Sequence, residues 1–420
     1  MIWSLGREDF LTIRCGSSAA VLFVGVAVLT SGHKARAGAS SARHSAAPVI
    51  RFRSAALNAP AHRRCWNRNA ASAQSVGEYL QEAFVWLVHR RAKQHHNNDI
   101  WDLRANRVRE LSAIEHALAR GTYRFSPLRR VMTKTGEELD VWCARDALVL
   151  KALALCLAKV LPRSTRCTHL KTHGGLKGAV RAVASELSNH RFVLRTDVKS
   201  YYASIDHFRL LDRLALYVSD RSVINLVSQY LRRSVERGGC FWDFERGISL
   251  GCPLSPLMGA FYLHELDSVM GRAMDRGELF YVRYMDDILV LSRSRWGLRR
   301  AICSVNKVLH DLDLSKHPDK TFIGRIDRGF DFLGYHFSRD CEGQTVLSLA
   351  PITIAKHQEK LSRLYEQVRR AKTVKTSGMS CWAMHQNRTT ISTIIDDYKR
   401  RWLAWARGGL GSCGLNLYEQ

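Results

Sequence analysis

Residues 281–291 read YVRYMDDILVL, and this stretch decides the fold of the chain. Two runs rich in β-branched and aromatic residues flank the adjacent acids Asp286 and Asp287, which predicts a short hairpin with both carboxylates at its turn. Neighbouring carboxylates repel each other and lose hydration there, so their pKa values rise unless a cation neutralises them. The pattern indicates a divalent metal site, and a solvent-exposed acidic turn is the alternative.

A third acid lies upstream in a similar setting. The short apolar run 191–196 predicts a strand that ends at Asp197. An acid at the end of one strand can meet a two-acid turn on its neighbour, which gives a cluster of oxygens able to hold two Mg²⁺ ions. Two ions held in this way suit in-line phosphoryl transfer. Farther along, Asp206 is expected to cap the helix that follows it.

The chain resembles the reverse transcriptases, because the box Tyr284-Met285-Asp286-Asp287 is similar to that family's signature. RNA polymerases that copy RNA usually carry Gly before the acid pair, so this box favours a DNA-synthesising enzyme. The resemblance implies an α+β fold, namely a right-hand polymerase with an antiparallel palm sheet, fingers and a helical thumb. Among these enzymes the chain looks like the bacterial group II intron-like kind.

The resemblance also implies the metal ligands. Asp197, Asp286 and Asp287 would hold one Mg²⁺ ion, and Asp197, the Val198 carbonyl and Asp286 would hold the second, with Mn²⁺ able to substitute. Lys320 follows the acid box in family order and resembles the lysine that approaches the triphosphate. It would neutralise or protonate the pyrophosphate leaving group. A surface lysine after a turn is the alternative.

Three further positions resemble the nucleotide site of the family. Tyr202 matches the aromatic ring that packs against the sugar and excludes a 2′-hydroxyl, although a core tyrosine would show the same pattern. Leu250 and Gly251 belong to the block that cradles the nascent base pair, and Ser255-Pro256 predicts a helix through Leu266. The family usually carries Gln where this chain has Leu250, so we expect only moderate fidelity.

Basic and glycine-containing segments are the candidate contacts for nucleic acid. We predict a basic loop over residues 169–181, in which Lys171 and Lys177 would reach the nucleotide, with a solvated loop as the alternative. A later aromatic stretch, 330–337, resembles the primer-grip hairpin. The predicted primer and template contacts are Phe332, Leu333, Gly334, Lys399, Arg400 and Arg401.

The charge balance indicates a polyanionic partner. The 420 residues are 46% hydrophobic and 24% charged, which is ordinary for a globular protein, but the formal net charge is +26. Ten Lys and Arg residues against two acids in the first 70 positions leave +18 on the remainder, so the folded part is itself basic. An RNA template, a DNA or RNA primer, dNTPs and a cognate structured RNA are the candidate partners, and no stable membrane association is expected.

The chain divides into four predicted parts: a disordered or leader segment over 1–70, N-terminal helices and fingers over 71–190, the palm over 191–345 and a helical thumb over 346–420. The first part mimics a secretory signal or a transit peptide. A polymerase needs nucleotides and template, so we interpret that run as non-functional and expect a cytoplasmic protein. Eleven scattered cysteines without a Cys-x-x-Cys pair fit reduced thiols.

Three functions are compatible with these patterns. The first is an RNA-directed DNA polymerase that extends a primer 3′-hydroxyl by two-metal phosphoryl transfer, in a mobile retroelement or a phage-defence system. The second is an RNA-binding maturase or scaffold with a vestigial polymerase site. The third is a template-independent nucleotide polymerase. Retention of all three acids and of Tyr202 favours the first.

Overall fold

The computed structural model describes residues 71–132, 138–340, 342–373 and 381–410, so the leader predicted over 1–70 lies outside the described residues. The helices are α1 (Ala73–Glu78), α2 (Leu80–Arg90), α3 (Ile100–Ala105), α4 (Arg107–Ala119), α5 (Ala144–Val160), α6 (Gly175–Glu186), α7 (Tyr201–Ser204), α8 (His207–Ala215), α9 (Arg221–Leu231), α10 (Ser255–Tyr262), α11 (His264–Asp275), α12 (Arg295–Asp311), α13 (Pro351–Thr373) and α14 (Cys381–Leu410). The strands are β1 (Leu128–Met132), β2 (Glu138–Val141), β3 (Phe192–Thr196), β4 (Ser234–Arg237), β5 (Cys240–Asp243), β6 (Leu279–Tyr284), β7 (Asp287–Ser292), β8 (Phe322–Arg325), β9 (Phe330–Phe332), β10 (Tyr335–Arg339) and β11 (Thr345–Leu349).

The central sheet is antiparallel, with the strand order β6-β7-β3-β8. The predicted hairpin is confirmed: β6 and β7 are joined by the two-residue turn Met285-Asp286, and the last pair of the ladder is Tyr284 with Asp287. Met285 has a φ of +55°, a conformation that tight two-residue hairpins favour. The turn therefore presents Asp286 at its tip and Asp287 at the first position of β7.

Both faces of this sheet are buried, and the alternation of side chains assigns each residue to one face. Leu194, Ile288 and Val290 point into a large core shared with α11 and α12, whereas Val193 and Leu289 point into a second core built with α6, β9–β11 and α14. Near-continuous apolar strands are what two buried faces require. By the same alternation the acids at the strand ends belong to the face of the second core.

Two smaller sheets complete the fold. One has the order β2-β1-β4-β5, with β1 and β4 parallel, and the other is the meander β11-β10-β9. The large core runs from Ala71 to Leu314, so the N-terminal helices and the central sheet pack as one body across the predicted boundary at residue 190. The predicted domain limits stay predictions. Within the described segments, no helix has the length and apolar character needed to cross a membrane.

Two local predictions are wrong. The basic stretch 169–181 is a loop only as far as Gly174, whose φ is +90°, and α6 then carries Lys177 and Arg181 because its apolar face packs into the second core. The helix predicted from Ser255 to Leu266 is interrupted at Leu263. The regular partner of the Leu263 N–H would be the Gly259 carbonyl, but the Tyr201 hydroxyl donates to that oxygen and the N–H turns to Phe261 instead. By contrast, Asp206 caps α8 as predicted, accepting from Arg209 N at 2.8 Å.

Candidate active site

The strand register brings the three predicted acids together. Thr196 of β3 pairs with Ile288 of β7, so the next residues along the two strands, Asp197 and Asp287, lie side by side on one face. Asp286 occupies the adjoining turn, and its carboxyl group is near enough to that of Asp197 to share a hydrogen bond. Residues almost ninety positions apart in the sequence thus form one carboxylate cluster.

Burial and mutual repulsion of the carboxylates dominate the electrostatics of this cluster. Burial raises the pKa of Asp286 to about 8, and the charges of Asp287 and Asp197 add to the rise. Burial likewise raises the pKa of Asp287 to about 7, with a further contribution from Asp197, while Arg195 and Lys320 oppose the rise. One oxygen of the buried Asp197 carboxylate, Oδ1, has no hydrogen-bond partner. A buried, unpaired acceptor of this kind costs free energy unless a cation or donor binds to it.

Lys320 is held beside the acids by a segment that runs along the end of β3. The Lys199 N–H donates to Ser315 O at 2.9 Å, and the His317 N–H donates to Asp197 O at 2.7 Å. These bonds place the Lys320 ammonium 2.7 Å from the second oxygen of Asp197, Oδ2. Val198 is buried and bridges to Lys316 in the same segment. Lys320 therefore lies beside the acids, and its predicted approach to the triphosphate stays a prediction.

A buried ion pair below the turn holds it in place, and sequence reasoning missed it. Arg283 is fully buried and binds Asp267 of α11, with its Nε 2.7 Å from Asp267 Oδ1. Tyr281 donates its hydroxyl to the same oxygen at 2.7 Å. Arg283 also donates from Nη1 to the carbonyl of Met285 at 2.7 Å, which fixes the backbone of the acidic turn. Burial opposes the charge of Arg283, but Asp267 outweighs it and the pKa of the guanidinium lies well above its ordinary value.

His169 holds the other side of the turn. The Met285 N–H donates to His169 Nδ1 at 3.1 Å, and His169 Nε2 donates to Pro256 O at 3.1 Å. One ring nitrogen accepts while the other donates, so the imidazole is neutral, in agreement with burial lowering its pKa to about 4. The only signal in the sequence was its place at the start of the basic stretch.

Tyr202 lies near the acids, and its predicted contact with a nucleotide sugar stays a prediction. Burial raises its pKa, with the charge of Asp286 as the next cause. Its ring rests on α10, where a Cβ added to Gly259 would meet Tyr202 Cε1 at 3.2 Å, and its hydroxyl is buried without a hydrogen-bond partner. A second glycine fixes the backbone of Tyr202: Gly247 has a φ of +79°, and a Cβ there would meet Tyr202 O at 2.8 Å. Sequence reasoning did not single out Gly247.

The block around Leu250 projects outward. A buried network anchors its neighbours, because Trp142 donates from Nε1 to Ser249 Oγ at 3.0 Å and the hydroxyls of Ser255 and Tyr230 lie 2.6 Å apart. Leu250 is 71% exposed. A Cβ at Gly251 would meet nothing within 4 Å, so its φ of +72°, and not crowding by the protein, favours glycine there. Both residues are thus free to meet a ligand.

The remaining predicted contacts are placed less clearly. Lys171 is exposed, whereas the side chain of Lys177 lies against Gly408 of α14 and not in a loop. Phe332 is buried in the second core, and Leu333 in the same turn is half-buried. A Cβ added at Gly334 would meet Trp405 Cη2 at 3.1 Å, so the space beside this glycine is already filled. Close approach at this glycine is therefore made by the chain's own helix. Primer contact by this hairpin stays a prediction.

The basic residues of α14 have partners on their own surface. Lys399 lies over the ring of Tyr365, Arg400 pairs with Asp397, and Arg401 donates to the Asp397 carbonyl at 3.0 Å. Arg400 and Arg401 are exposed and Lys399 is half-buried. Their contact with phosphates stays a prediction.

The carboxylates suit a hard cation, because three oxygen-donor groups, one with an unpartnered buried oxygen, are gathered beside a turn. They are not arranged as a finished metal site: across the part of the chain that the structure describes, no three His, Cys, Asp or Glu side chains converge as a ligand set. Lys320 binds one oxygen of Asp197 and places a positive charge beside the cluster. The residues present fit a divalent ion once that oxygen is released.

Comparison with known proteins agrees with this geometry. Residues 147–337, which include all three acids and Lys320, match the family described as reverse transcriptase (RNA-dependent DNA polymerase). The chain therefore carries a reverse transcriptase domain, as the sequence predicted.

Similar proteins indicate which kind of reverse transcriptase this domain resembles. The chain is 25% identical over 165 residues to the group II intron-encoded protein LtrA of Lactococcus lactis, covering 38% of this chain and 28% of LtrA. It is 21% identical over 286 residues to the putative COX1/OXI3 intron 1 protein of Saccharomyces cerevisiae, covering 54% and 34%. It is also 23% identical to protein YkfC of Escherichia coli over 279 residues, 56% of this chain and 73% of YkfC. The chain is thus similar to reverse transcriptases of the group II intron type, and it spans about a third or less of the two intron proteins.

Proposed function

We propose that this chain is an active RNA-directed DNA polymerase of a mobile retroelement, and that Asp197, Asp286 and Asp287 bind two Mg²⁺ ions, which Mn²⁺ can replace. The observation that carries the proposal is the carboxylate cluster itself. The pKa values of about 8 and 7 for Asp286 and Asp287, and the unpartnered Oδ1 of Asp197, are what carboxylates suited to binding a divalent cation show on their own. The assignment to a mobile retroelement is supported by the similarity to intron-encoded proteins.

The roles of the residues follow from their positions. When bound, the divalent ions lower the pKa of the primer 3′-hydroxyl and stabilise the departing pyrophosphate. The three aspartates hold that charge in place, with the Val198 carbonyl as a further oxygen donor. Lys320 carries a proton on Nζ beside the acids and neutralises or protonates the leaving group. Positioning and electrostatics supply almost all of the rate enhancement in such a transfer.

Substrate choice rests on two other residues. Tyr202, clamped between Gly247 and Gly259, presents a rigid ring that leaves no space for a 2′-hydroxyl and so selects dNTPs. Leu250 projects 71% exposed where the family usually has a polar amide, so it contributes shape without hydrogen bonds. The basic surface of the chain binds the phosphates of the template and primer, and this binding should weaken steeply with salt.

The test is primer extension on an RNA template with Mg²⁺ and dNTPs. Asp286→Asn and Asp287→Asn should each abolish extension while binding of the RNA–DNA hybrid stays near the wild-type level. Asp206→Asn is the matched control, since Asp206 is a nearby acid whose side chain caps α8. Asparagine caps a helix about as well as aspartate, so this variant should keep both the wild-type stability and the wild-type extension rate.

The same assay separates the alternatives. A maturase or scaffold with a vestigial site would show no metal-dependent extension, and its RNA binding would be indifferent to the acid variants. A template-independent polymerase would incorporate nucleotides equally well when the template is omitted. Extension that survives Asp286→Asn would refute the role assigned to the cluster.

A further inference from the structure

An exposed tryptophan and four arginines form one surface at the start of α12. Trp296 is 72% exposed, and the guanidinium of Arg299 lies 5.0 Å from the centre of its ring. Arg293, Arg295 and Arg300 are exposed around it. On α12 the residues of this surface, which we call the Trp296 surface, lie opposite the face that is buried in the large core.

The Trp296 surface carries positive charge that the fold does not neutralise. Within the described residues none of its four arginines forms an ion pair with an acid, whereas Arg276, Arg325 and Arg339 each do. Glu278, whose charge interacts with that of Arg300, is itself paired with Arg276 at 2.6 Å. An ordinary solvent-exposed helix face would not require a tryptophan. A protein partner that buried Trp296 would also bury several unpaired arginine charges, which is unfavourable.

This surface lies away from the carboxylate cluster. β7 begins at Asp287 and ends at Ser292, so the cluster and the start of α12 are at opposite ends of the strand, roughly 17 Å apart along it. They are also on opposite faces, because α12 packs on the large-core side of the sheet and the acids belong to the other side. A primer–template hybrid bound at the acids would leave the Trp296 surface uncovered.

From these observations we infer that the Trp296 surface is a second nucleic-acid site that binds single-stranded RNA. An unpaired base stacks on the free face of the Trp296 ring, and the arginines bind the flanking phosphates. An indole with a guanidinium on one face and open solvent on the other is suited to stacking, which single strands permit and duplexes do not. Four uncompensated guanidinium groups supply the charge complementarity to the backbone.

The experiment measures RNA binding while the catalytic groove is occupied. The full chain is saturated with an unlabelled RNA–DNA hybrid, without dNTPs or metal, and a fluorescein-labelled CA-repeat RNA of twelve nucleotides is titrated by anisotropy. Trp296→Ala should weaken its binding about tenfold, and Trp296→Phe should restore most of the affinity because the ring is kept. Arg299→Gln with Arg300→Gln should lower the slope of log K against log salt by about 1.4.

The matched control is Phe208→Ala, which removes an aromatic side chain, 63% exposed, from α8, where the neighbouring arginines are already bound. This variant should bind the RNA like the wild type. The assay needs no catalysis, so it stands if primer extension fails. Equal affinities for wild type and Trp296→Ala would overturn the inference, as would displacement of the labelled RNA by the hybrid. In a further outcome, the chain binds phosphatidylserine vesicles through Trp296, but its RNA binding does not depend on Trp296. That result would assign the surface to membranes and would also overturn the inference.

Discussion

Replacing Asp267 by asparagine tests whether the buried ion pair positions the acidic turn. Asp267 is 2% exposed and accepts hydrogen bonds from both Arg283 and Tyr281. Asparagine keeps the shape but removes the charge and one acceptor, which leaves the guanidinium of Arg283 buried without a counterion. Breaking a buried pair in this way costs about 3–5 kcal/mol. We expect a loss of that size in the free energy of unfolding by urea.

The control lies two residues away on the same helix. Glu265 forms a partly exposed ion pair with Arg213. Because solvent screens such a pair, Glu265→Gln should cost less than about 1 kcal/mol. A similar loss in the two variants would show that burial does not decide the energetics of these pairs.

A triple variant separates stability from positioning. Asp267→Leu, Tyr281→Phe and Arg283→Met together replace the polar cluster by apolar side chains of similar size, a change that is often neutral or stabilising. The fold should therefore recover. The Met285 carbonyl would still lack the donor that now lies 2.7 Å away, and a displacement of about 1 Å at the acids is enough to slow primer extension about a hundredfold. If the triple variant regains both stability and the wild-type extension rate, the positioning role of Arg283 is refuted.

Three other perturbations have defined outcomes. Without metal, wild-type stability should fall as pH rises from about 4 to about 8, because folded Asp286 keeps a proton that the unfolded carboxyl loses near 3.8. By calorimetry, Asp286→Asn should therefore have a higher melting temperature than the wild type at pH 8, and the difference should be smaller at pH 5. A difference in melting temperature that does not change with pH would contradict this. Lys320→Met should lower kcat for primer extension about 10²- to 10³-fold with hybrid affinity little changed, and an unchanged kcat would exclude the lysine from the chemistry. Leu250→Gln should reduce misincorporation in a sequencing assay without changing the melting temperature, since residue 250 is 71% exposed; equal error rates would remove the link to fidelity.

The parts of the fold with a strong local pattern could be predicted from the sequence. The runs of β-branched and aromatic residues on both sides of the acid box predict the β6–β7 hairpin, and the apolar run before Asp197 predicts β3. The cap at Asp206 follows from the preference of helix starts for aspartate. Each of these features depends on residues within a few positions of one another.

Features set by distant residues could not be predicted. The break at Leu263 exists because Tyr201, about sixty positions earlier, takes the carbonyl that the helix would have used. The local sequence around Lys177 predicts a loop, and Lys177 is helical because the apolar face of α6 packs into the second core. Asp267 and Arg283 look like surface charges in the sequence, and only the packing of α11 on β6 shows that they bury each other.

The energetics of the cluster favour an enzyme over a binding protein. Asp286 and Asp287, held beside Asp197 with raised pKa values, lower stability near neutral pH, and asparagine at either position would relieve that repulsion without changing the shape. A protein that only bound RNA would gain stability from such a replacement and lose nothing, whereas a polymerase needs the charge to bind its metal ions. The buried pair of Arg283 and Asp267, which fixes the same turn, adds a further desolvated charge pair to this site. Desolvated charge of this kind is typical of functional sites, so the position of the cluster supports the proposed activity.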